Sequence, residues 1–302
     1  MVLVVGASGF LGREVVRQLL ADGRRVRAAT RTPDKLADLR SLGAEVVAAD
    51  LIDPASLVSA CQGAGAVLVA AHSLTGVGKY SSRFVDDAGH HSLIDAAKAA
   101  RVERFVYTSA MFASSDHPVD FFRSKSRVER YLAASGLDFT ILRPSALMEW
   151  HVHDLFGKSL VEEGKATIFG KGDNPTNFVA AADVAASAVH ALADPGAAGK
   201  TWEIGGPDNL SKRQVADLYR QMLGRPVTLR RVPRRALAIM APLLRPFQPV
   251  LSRLMTLALW ADTANQTFDV RTMALQDARP MTRVSDFIAT RVATCSQAVS
   301  RA

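Results

Sequence analysis

Three glycines near the amino terminus, Gly6, Gly9 and Gly12, have the spacing of a turn that can hold a phosphate. The apolar segment 1–5 precedes this turn, and a helix-forming segment, 13–20, follows it. The first glycine permits a tight turn, the second lets backbone amides approach a pyrophosphate, and the third allows close packing of helix and strand. The amides and the positive dipole end of the following helix complete the anion site. The sequence therefore predicts a dinucleotide-binding turn formed by Gly6, Ser8, Gly9, Phe10, Leu11 and Gly12.

The elements that must position this turn alternate between strand and helix. After the first strand, strand-like apolar segments lie at 25–30, 43–50, 66–71, 104–109 and 139–143. Helical patterns separate them, the longest from Ser82 to Ala100. Apolar strands joined by helical crossovers predict a parallel sheet covered on both faces, with ligands outside the carboxyl ends of the strands. We therefore expect functional residues at strand ends, including Ala70, Ala71 and Pro144.

Two strand ends bear on the type of dinucleotide. Thr30 and Arg31 end the second strand, where a free ribose 2′-hydroxyl favours an acidic residue instead. The planar fork of arginine can take two oxygens of a 2′-phosphate, so the sequence favours NADP(H) over NAD(H). An exposed arginine in an ordinary turn is the alternative. Asp50 ends the third strand beside Leu51 and either meets the adenine or caps the helix that begins at Pro54.

Composition limits the class of protein. The chain has 302 residues, 48% of them hydrophobic, which is enough for a full core in one large or two closely packed units. No run approaches the roughly 18 to 20 apolar residues of a membrane-spanning helix, and the strand at residue 2 leaves no room for an export signal, so we expect a cytoplasmic protein. Cys61 and Cys295 are interpreted as ordinary thiols. The net charge of +8 is concentrated between Arg225 and Arg253 without interleaved stacking aromatics, which favours a basic surface over nucleic-acid binding.

Further motifs follow in order along the chain. They are Ala-Asp-Leu at 49–51, Val-Tyr-Thr-Ser-Ala at 106–110, Lys125 with Glu129, Thr-Ile-Leu-Arg-Pro-Ser at 140–145, Asn-Phe-Val-Ala-Ala-Ala-Asp-Val-Ala at 177–185 and Trp-Glu-Ile-Gly-Gly-Pro at 202–207. With the glycine turn, they make the chain resemble the NmrA-like branch of the atypical short-chain dehydrogenases over most of residues 1–235. The resemblance implies an α/β fold: a Rossmann-type doubly wound parallel sheet with a small C-terminal α/β substrate lobe. We expect the NAD(P)-binding domain over 1–150, with about 176–205 returning to it, and the substrate lobe and a C-terminal helical segment over 151–302.

The resemblance also implies catalytic positions. In short-chain dehydrogenases a serine and a tyrosine hold the substrate carbonyl, and a lysine four residues after the tyrosine binds the ribose and lowers the tyrosine pKa. Ser109 and Lys125 match the serine and the lysine, whereas Phe121 stands at the tyrosine position and has no proton to give. Lys125 can still hold the nicotinamide ribose. The alternatives are a surface pair of Lys125 with Glu129 and a strand-end hydroxyl at Ser109.

An acceptor that needs no strong acid tolerates Phe121, because hydride transfer asks mainly for positioning and exclusion of water. Quinones, conjugated enones and flavin-like rings qualify, and they need an aromatic, apolar pocket. The predicted pocket residues are Phe112, Phe121, Met148, Trp150 and His153, with plain core packing as the alternative. His151 or His153 is a hypothesis for the missing acid. No cysteine or carboxylate set accompanies these histidines, so no metal site is predicted.

In the later chain, Asp183 and Ser211 are predicted helix caps. Prolines at 242, 246 and 249 exclude one long helix over 236–260 and leave open a lid, a dimer contact, a membrane-surface element or packing on the sheet domain.

The sequence predicts an NADPH-dependent reductase of an aromatic, quinone-like or conjugated carbonyl compound, in the tailoring of a polyketide-like secondary metabolite. The alternatives are an NADP(H)-sensing regulatory protein without catalysis and a tailoring oxygenase of the same fold. A small-molecule substrate is expected, without nucleic acid or a membrane span, and a homodimer is left open.

Overall fold

The computed structural model describes residues 1–273 and 280–299, with side chains described up to residue 294. These residues form two compact units. The first consists of residues 1–144 and 181–204, and the second of residues 145–180 and the described residues from 205 onward. The chain therefore leaves the first unit after Pro144 and returns to it with Ala181.

From residue 2 to residue 144 the strands alternate with helices, as the sequence predicts. They are β1 Val2–Val5, β2 Val26–Thr30, β3 Glu45–Ala48, β4 Ala66–Val69, β5 Arg104–Thr108, β6 Phe139–Pro144, β7 Ala146–Leu147, β8 Lys165–Phe169, β9 Thr176–Val179, β10 Lys200–Ile204, β11 Asp208–Leu210 and β12 Thr228–Val232. The helices are α1 Phe10–Ala21, α2 Ala37–Ser41, α3 Pro54–Cys61, α4 His90–Ala99, α5 Asp120–Ala133, α6 Lys158–Glu163, α7 Ala181–Ala193, α8 Lys212–Leu223, α9 Arg234–Leu244, α10 Pro249–Ala261 and α11 Val284–Val299.

The first unit is built on a sheet of seven parallel strands in the order β3-β2-β1-β4-β5-β6-β10. All four residues of β1 and of β4 are buried, because helices cover both faces of the sheet. The strand order reverses between β1 and β4, which is the point where such a sheet binds ligands outside its carboxyl ends. The predicted doubly wound Rossmann-type fold is therefore confirmed.

Some predicted elements differ in detail. The helix expected over 82–100 is π-helical from Arg83 to Gly89 and α-helical only from His90. The carbonyl oxygen of Leu51 lies 2.6 Å from where a Cβ of Gly89 would stand, so Leu51 requires a glycine at this point. The cap predicted at Asp183 is wrong, because α7 begins at Ala181 and the carboxylate lies in its first turn, where it still favours the helix dipole.

The second unit contains two small sheets. β9 pairs with β11 and β7, and β8 pairs with β12. Ser211 caps α8 as predicted: its hydroxyl accepts a hydrogen bond from the Gln214 amide, and the Gln214 side chain accepts one from the Ser211 amide. α9 and α10 pack on each other around Leu237 and Met255. Helix α10 begins at Pro249, so the prolines do exclude one long helix, although Pro242 lies inside α9.

Cys61 lies in the core of the first unit, where burial raises the pKa of its thiol to about 11. It is therefore a protonated, inert thiol at neutral pH, as expected. The side chain of Cys295 lies outside the described side chains. Within the described ranges, no helix has both the length and the apolar character needed to cross a bilayer.

Candidate functional site

In the turn after β1, packing within the protein requires a glycine at two positions, Gly6 and Gly12. Gly6 adopts a left-handed φ of +86°, and a Cβ on it would lie 2.6 Å from the amide nitrogen of Ala71. A Cβ on Gly12 would overlap the carbonyl oxygen of Gly6 and lie 2.8 Å from Cα of Ala7. Both glycines therefore allow α1 and β4 to approach the turn closely.

Gly9 differs from these two glycines. Its backbone is extended, with φ −78° and ψ 168°, and the nearest atom to an added Cβ is the Gly6 carbonyl oxygen at 3.5 Å. The conformation is open to any L-residue, and a Cβ has room there. Gly9 is the N-cap of α1, where amides without helical partners are available to an anion. The space above Gly9 is therefore a suitable place for a pyrophosphate.

A cavity of about 200 Å³ opens beside this turn, at the carboxyl ends of β1, β2 and β4. Phe10, Leu11 and Gly12 form the first turn of α1 next to it. Thr30 at the end of β2 donates a hydrogen bond to Ser8 Oγ at 3.1 Å, which joins the end of β2 to the glycine turn. The structure brings together, around this cavity, the predicted cofactor residues Gly6, Ser8, Gly9, Arg31, Asp50, Leu51, Ala70 and Ala71.

One end of the cavity has a polar network that the sequence did not reveal. The guanidinium carbon of Arg31 lies 4.4 Å from the centroid of the Tyr80 ring. The Tyr80 hydroxyl donates to Asp50 Oδ2 at 3.1 Å, and Asp50 Oδ1 accepts from the amide of Ile52. Asp53, not Asp50, caps α3, so the capping alternative for Asp50 is wrong. Tyr80 therefore holds the two predicted cofactor residues, Arg31 and Asp50, at one place.

Lys125 is buried on α5, and its Nζ donates to the carbonyl oxygen of Thr108, at the end of β5, at 2.8 Å. The Glu129 carboxylate instead accepts hydrogen bonds from Nε and Nη2 of Arg143, at 2.9 and 2.6 Å. The alternative of a surface pair between Lys125 and Glu129 is therefore wrong. Burial lowers the pKa of Lys125 to about 8, against the opposing effect of Asp86 and Glu129. The ammonium is held at the carboxyl end of β5, where a ligand of the sheet would lie.

Ser109 and Phe121 lie in the same part of the first unit as Lys125. The Ser109 amide donates to the Leu142 carbonyl at 2.7 Å, and its buried Oγ has no hydrogen-bond partner among the described residues. The ring centroid of Phe121 lies 5.7 Å from Lys125 Nζ. This buried hydroxyl therefore has a hydrogen bond still to make, and the Phe121 ring is an apolar group near the Lys125 ammonium.

Three titratable residues of this region were missed, because they follow β4, lie in the π-helical segment or begin α4, and belong to no motif. His72 lines the cavity and packs edge-on against Phe121, with ring centroids 5.8 Å apart. Asp86 is buried, and its Oδ1 accepts from the Ser73 amide at 2.7 Å. Burial and the nearby Lys125 lower the pKa of His90 to about 4, so its imidazole is neutral at pH 7.

The other predicted residues are divided between the units. Phe112, in the first unit, adopts a left-handed φ of +70°, which is rare for a bulky residue. In the second unit, Met148 is fully buried in the core, Trp150 is half-buried, and His153 Nδ1 lies 3.3 Å from the Tyr219 hydroxyl. His151 accepts a hydrogen bond through its backbone oxygen. Their roles toward a substrate, and that of Pro144 at the end of β6, stay predictions.

Residues 6–195 match the family model described as NAD(P)H-binding. The chain belongs to this NAD(P)H-binding family. Its matched part contains the glycine turn, the cavity, Ser109 and Lys125. NAD(P)H binding is thus established at the level of the family, and the predicted NmrA-like, atypical short-chain dehydrogenase class is confirmed.

Relatives of this NAD(P)H-binding protein include both reductases and an assembly factor. It is 30% identical to the NAD(P)H azoreductase of Xenophilus azovorans over 227 residues, 75% of each chain. It is 30% identical to the photosystem II assembly factor Ycf39 of Synechocystis over 249 residues, which cover 82% of this chain and 75% of the relative. The NADPH complex of the NADPH-dependent quinone oxidoreductase of Escherichia coli superposes with a TM-score of 0.78 and 26% identity, over 96% of this chain and 99% of the other. The reductases among these relatives agree with the expectation of an enzyme.

Proposed function

We propose that this protein is an NADPH-dependent reductase that transfers a hydride to a quinone or a similar conjugated aromatic compound. The observation that carries the proposal is the combination of the glycine-turn cavity with Ser109 and Lys125 and with a phenyl ring at the tyrosine position. The similarity to a quinone oxidoreductase and to an azoreductase supports the same class of acceptor.

Each residue has a defined task in this proposal. The amides at Gly9 and the first turn of α1 hold the pyrophosphate. The Lys125 ammonium has three N–H donors, one of which bonds to the Thr108 carbonyl oxygen. The other two hold the nicotinamide ribose. Ser109 Oγ donates a hydrogen bond to an oxygen of the acceptor, and Phe121 excludes water. NADPH, when bound, supplies the hydride, and the charge that arrives is delocalised over the acceptor ring, so no strong acid is required.

The test is NADPH oxidation, followed by absorbance, with 1,4-naphthoquinone, an azo dye and cyclohexanone as acceptors. We expect turnover with the quinone or the dye and a kcat/KM for cyclohexanone lower by roughly 100-fold or more, since an isolated ketone needs a proton donor. Absence of turnover with both conjugated acceptors, by a protein that binds NADPH, would contradict the proposal.

Arg31 is proposed to select NADP(H) by pairing with the 2′-phosphate. Replacing Arg31 by glutamate should weaken NADPH binding by about 100-fold, because it removes a bidentate partner and adds a like charge. NADH affinity should change by less than about threefold, since NADH has no phosphate at this point. Calorimetric titration of both nucleotides measures the two effects. Equal losses for the two nucleotides would exclude this role for Arg31.

Replacing Phe121 by tyrosine is expected to raise kcat/KM for cyclohexanone by roughly tenfold or more. The new hydroxyl would stand near Lys125, whose positive charge lowers the pKa of a neighbouring phenol. Activity on the quinone should change little. The Phe122→Tyr variant is the matched control, because the same hydroxyl is then added one residue further along α5. An unchanged ketone activity in Phe121→Tyr would mean that tyrosine absence does not limit the reaction.

A second candidate is an NADP(H)-responsive binding protein without catalysis. It is favoured by Phe121 and by the assembly factor among the relatives. Preference for NADP⁺ over NADPH, together with no turnover of any conjugated acceptor, would support it. The assignment to polyketide tailoring, whether by a reductase or by an oxygenase, and the cytoplasmic location stay predictions.

A further inference from the structure

The second unit has a cavity of its own, of about 220 Å³. Its walls come from β8, from the π-helical segment Glu149–Gly157 and from the inner face of α10. The α10 residues on the wall, Leu251, Leu254 and Met255 among them, are apolar, and Phe156 and Phe178 add aromatic rings. A space of this composition suits an apolar molecule.

One cation lies in this wall. Lys212, the first residue of α8, donates from Nζ to the His151 carbonyl oxygen at 2.6 Å. Nζ lies 5.6 Å from the centroid of Phe156 and 5.2 Å from that of Phe178. Among the described side chains, no carboxylate forms an ion pair with it. An ammonium has three N–H donors, so two remain after the bond to His151.

The carboxylate and the amide side chains of the wall already have partners. Asp262 accepts from the Lys171 amide at 2.6 Å and lies 3.5 Å from Arg234. The amides of Asn174 and Gln266 donate to the carbonyl oxygen of Ala261. Lys212 is therefore the wall residue whose charge still calls for a counter-ion.

A cation among aromatic and aliphatic side chains destabilises the protein unless an anion compensates it. The burial lowers the pKa of Lys212 to about 8, so most of the molecules still carry the charge at pH 7. Its position in the first turn of α8 is also unfavourable, because the positive end of the helix dipole lies there. An anion bound in the cavity would offset these costs.

We propose that this cavity binds an apolar carboxylate, with its carboxylate on Lys212 and its hydrocarbon part along α10 between Phe156 and Leu254. The proposal goes beyond the proposed reductase function, because it rests on side chains of the second unit alone. It assigns a ligand class to a lysine that dinucleotide binding does not use.

The experiment is calorimetric titration of the full chain at pH 7 with decanoate and with decan-1-ol. We expect one saturable decanoate site and an affinity for the alcohol that is lower by at least about tenfold, because a charge-assisted bond to Lys212 is lost. Lys212→Met should weaken decanoate by about tenfold or more and leave decanol within about threefold. The matched control is Lys165→Met, which removes an exposed lysine of β8 and should leave both affinities within about twofold.

Absence of saturable decanoate binding, equal affinities for acid and alcohol, or an unaltered affinity in Lys212→Met would each overturn the proposal. NADPH titration and thermal unfolding of every variant report folding separately from this site. If Lys212→Met does not fold, Leu254→Trp decides, because the larger side chain fills the cavity without removing a charge. Retained decanoate binding in that variant would also overturn the proposal, whereas loss of binding supports it. Failure of the reductase test leaves these outcomes unchanged, since none of them uses turnover.

Discussion

Replacing Gly9 by aspartate is expected to weaken NADPH binding severely while the protein stays folded. The backbone at Gly9 is extended and a Cβ has room, so the protein accepts a side chain there. Aspartate is also a favourable N-cap for α1 and should change the free energy of unfolding by only a few tenths of a kcal/mol, in the stabilising direction. Toward a pyrophosphate the same carboxylate is repulsive, and we expect NADPH affinity to fall by roughly 1,000-fold, or about 4 kcal/mol.

Calorimetric titration with NADPH and thermal unfolding measure the two effects. The matched variant is Gly12→Ala, whose Cβ would overlap backbone atoms of the same turn. It should lower the free energy of unfolding by about 1–3 kcal/mol or more, because packed backbone cannot move aside. Undiminished NADPH affinity in Gly9→Asp would contradict the placement of the pyrophosphate at this turn. A fully stable Gly12→Ala variant would contradict the packing role of the third glycine.

Replacing Lys125 by methionine should lower kcat/KM for the quinone by roughly 100-fold, because the cation that would hold the nicotinamide ribose is lost. The variant should stay folded, since methionine has a similar shape, but the buried Asp86 carboxylate loses the neighbouring charge and thermal stability should fall. The same substitution at the exposed Lys98 of α4 is the control and should leave activity unchanged within about twofold. Unchanged turnover in Lys125→Met would mean that this lysine is only structural.

The pH dependence follows from the same lysine. The charged form is the one required, and its pKa of about 8 predicts that activity falls as pH rises through this value, to roughly a tenth by pH 9.

The native pKa lies below the ordinary 10.5, so unfolding takes up a proton between about pH 8 and 10.5. The contribution of Lys125 to stability therefore improves as pH rises across this window. The pH profile of the remaining activity of Lys125→Met should show no fall near pH 8.

The sequence by itself determined the fold class and predicted the residues of the candidate site. The glycine turn, the strand ends and the positions of Ser109, Lys125 and Phe121 are encoded by local patterns: an apolar run, a glycine spacing and a motif of fixed order. These patterns work because a strand, a turn and a helix start each depend on a few neighbouring residues. The parallel sheet then brings the carboxyl ends of β1, β2 and β4 to one edge.

Only the tertiary structure decided which side chains meet across that edge. The Tyr80 hydroxyl donates a hydrogen bond to Asp50, thirty positions earlier in the chain. The Glu129 carboxylate pairs with Arg143 and not with Lys125. In the second unit, Lys212 is an ordinary helix-start residue in the sequence, and the rings of Phe156 and Phe178 turn its position into an apolar one. Such partners depend on packing between elements far apart in the chain, and the burial that shifts a pKa or leaves a charge unpaired exists only after those elements have packed.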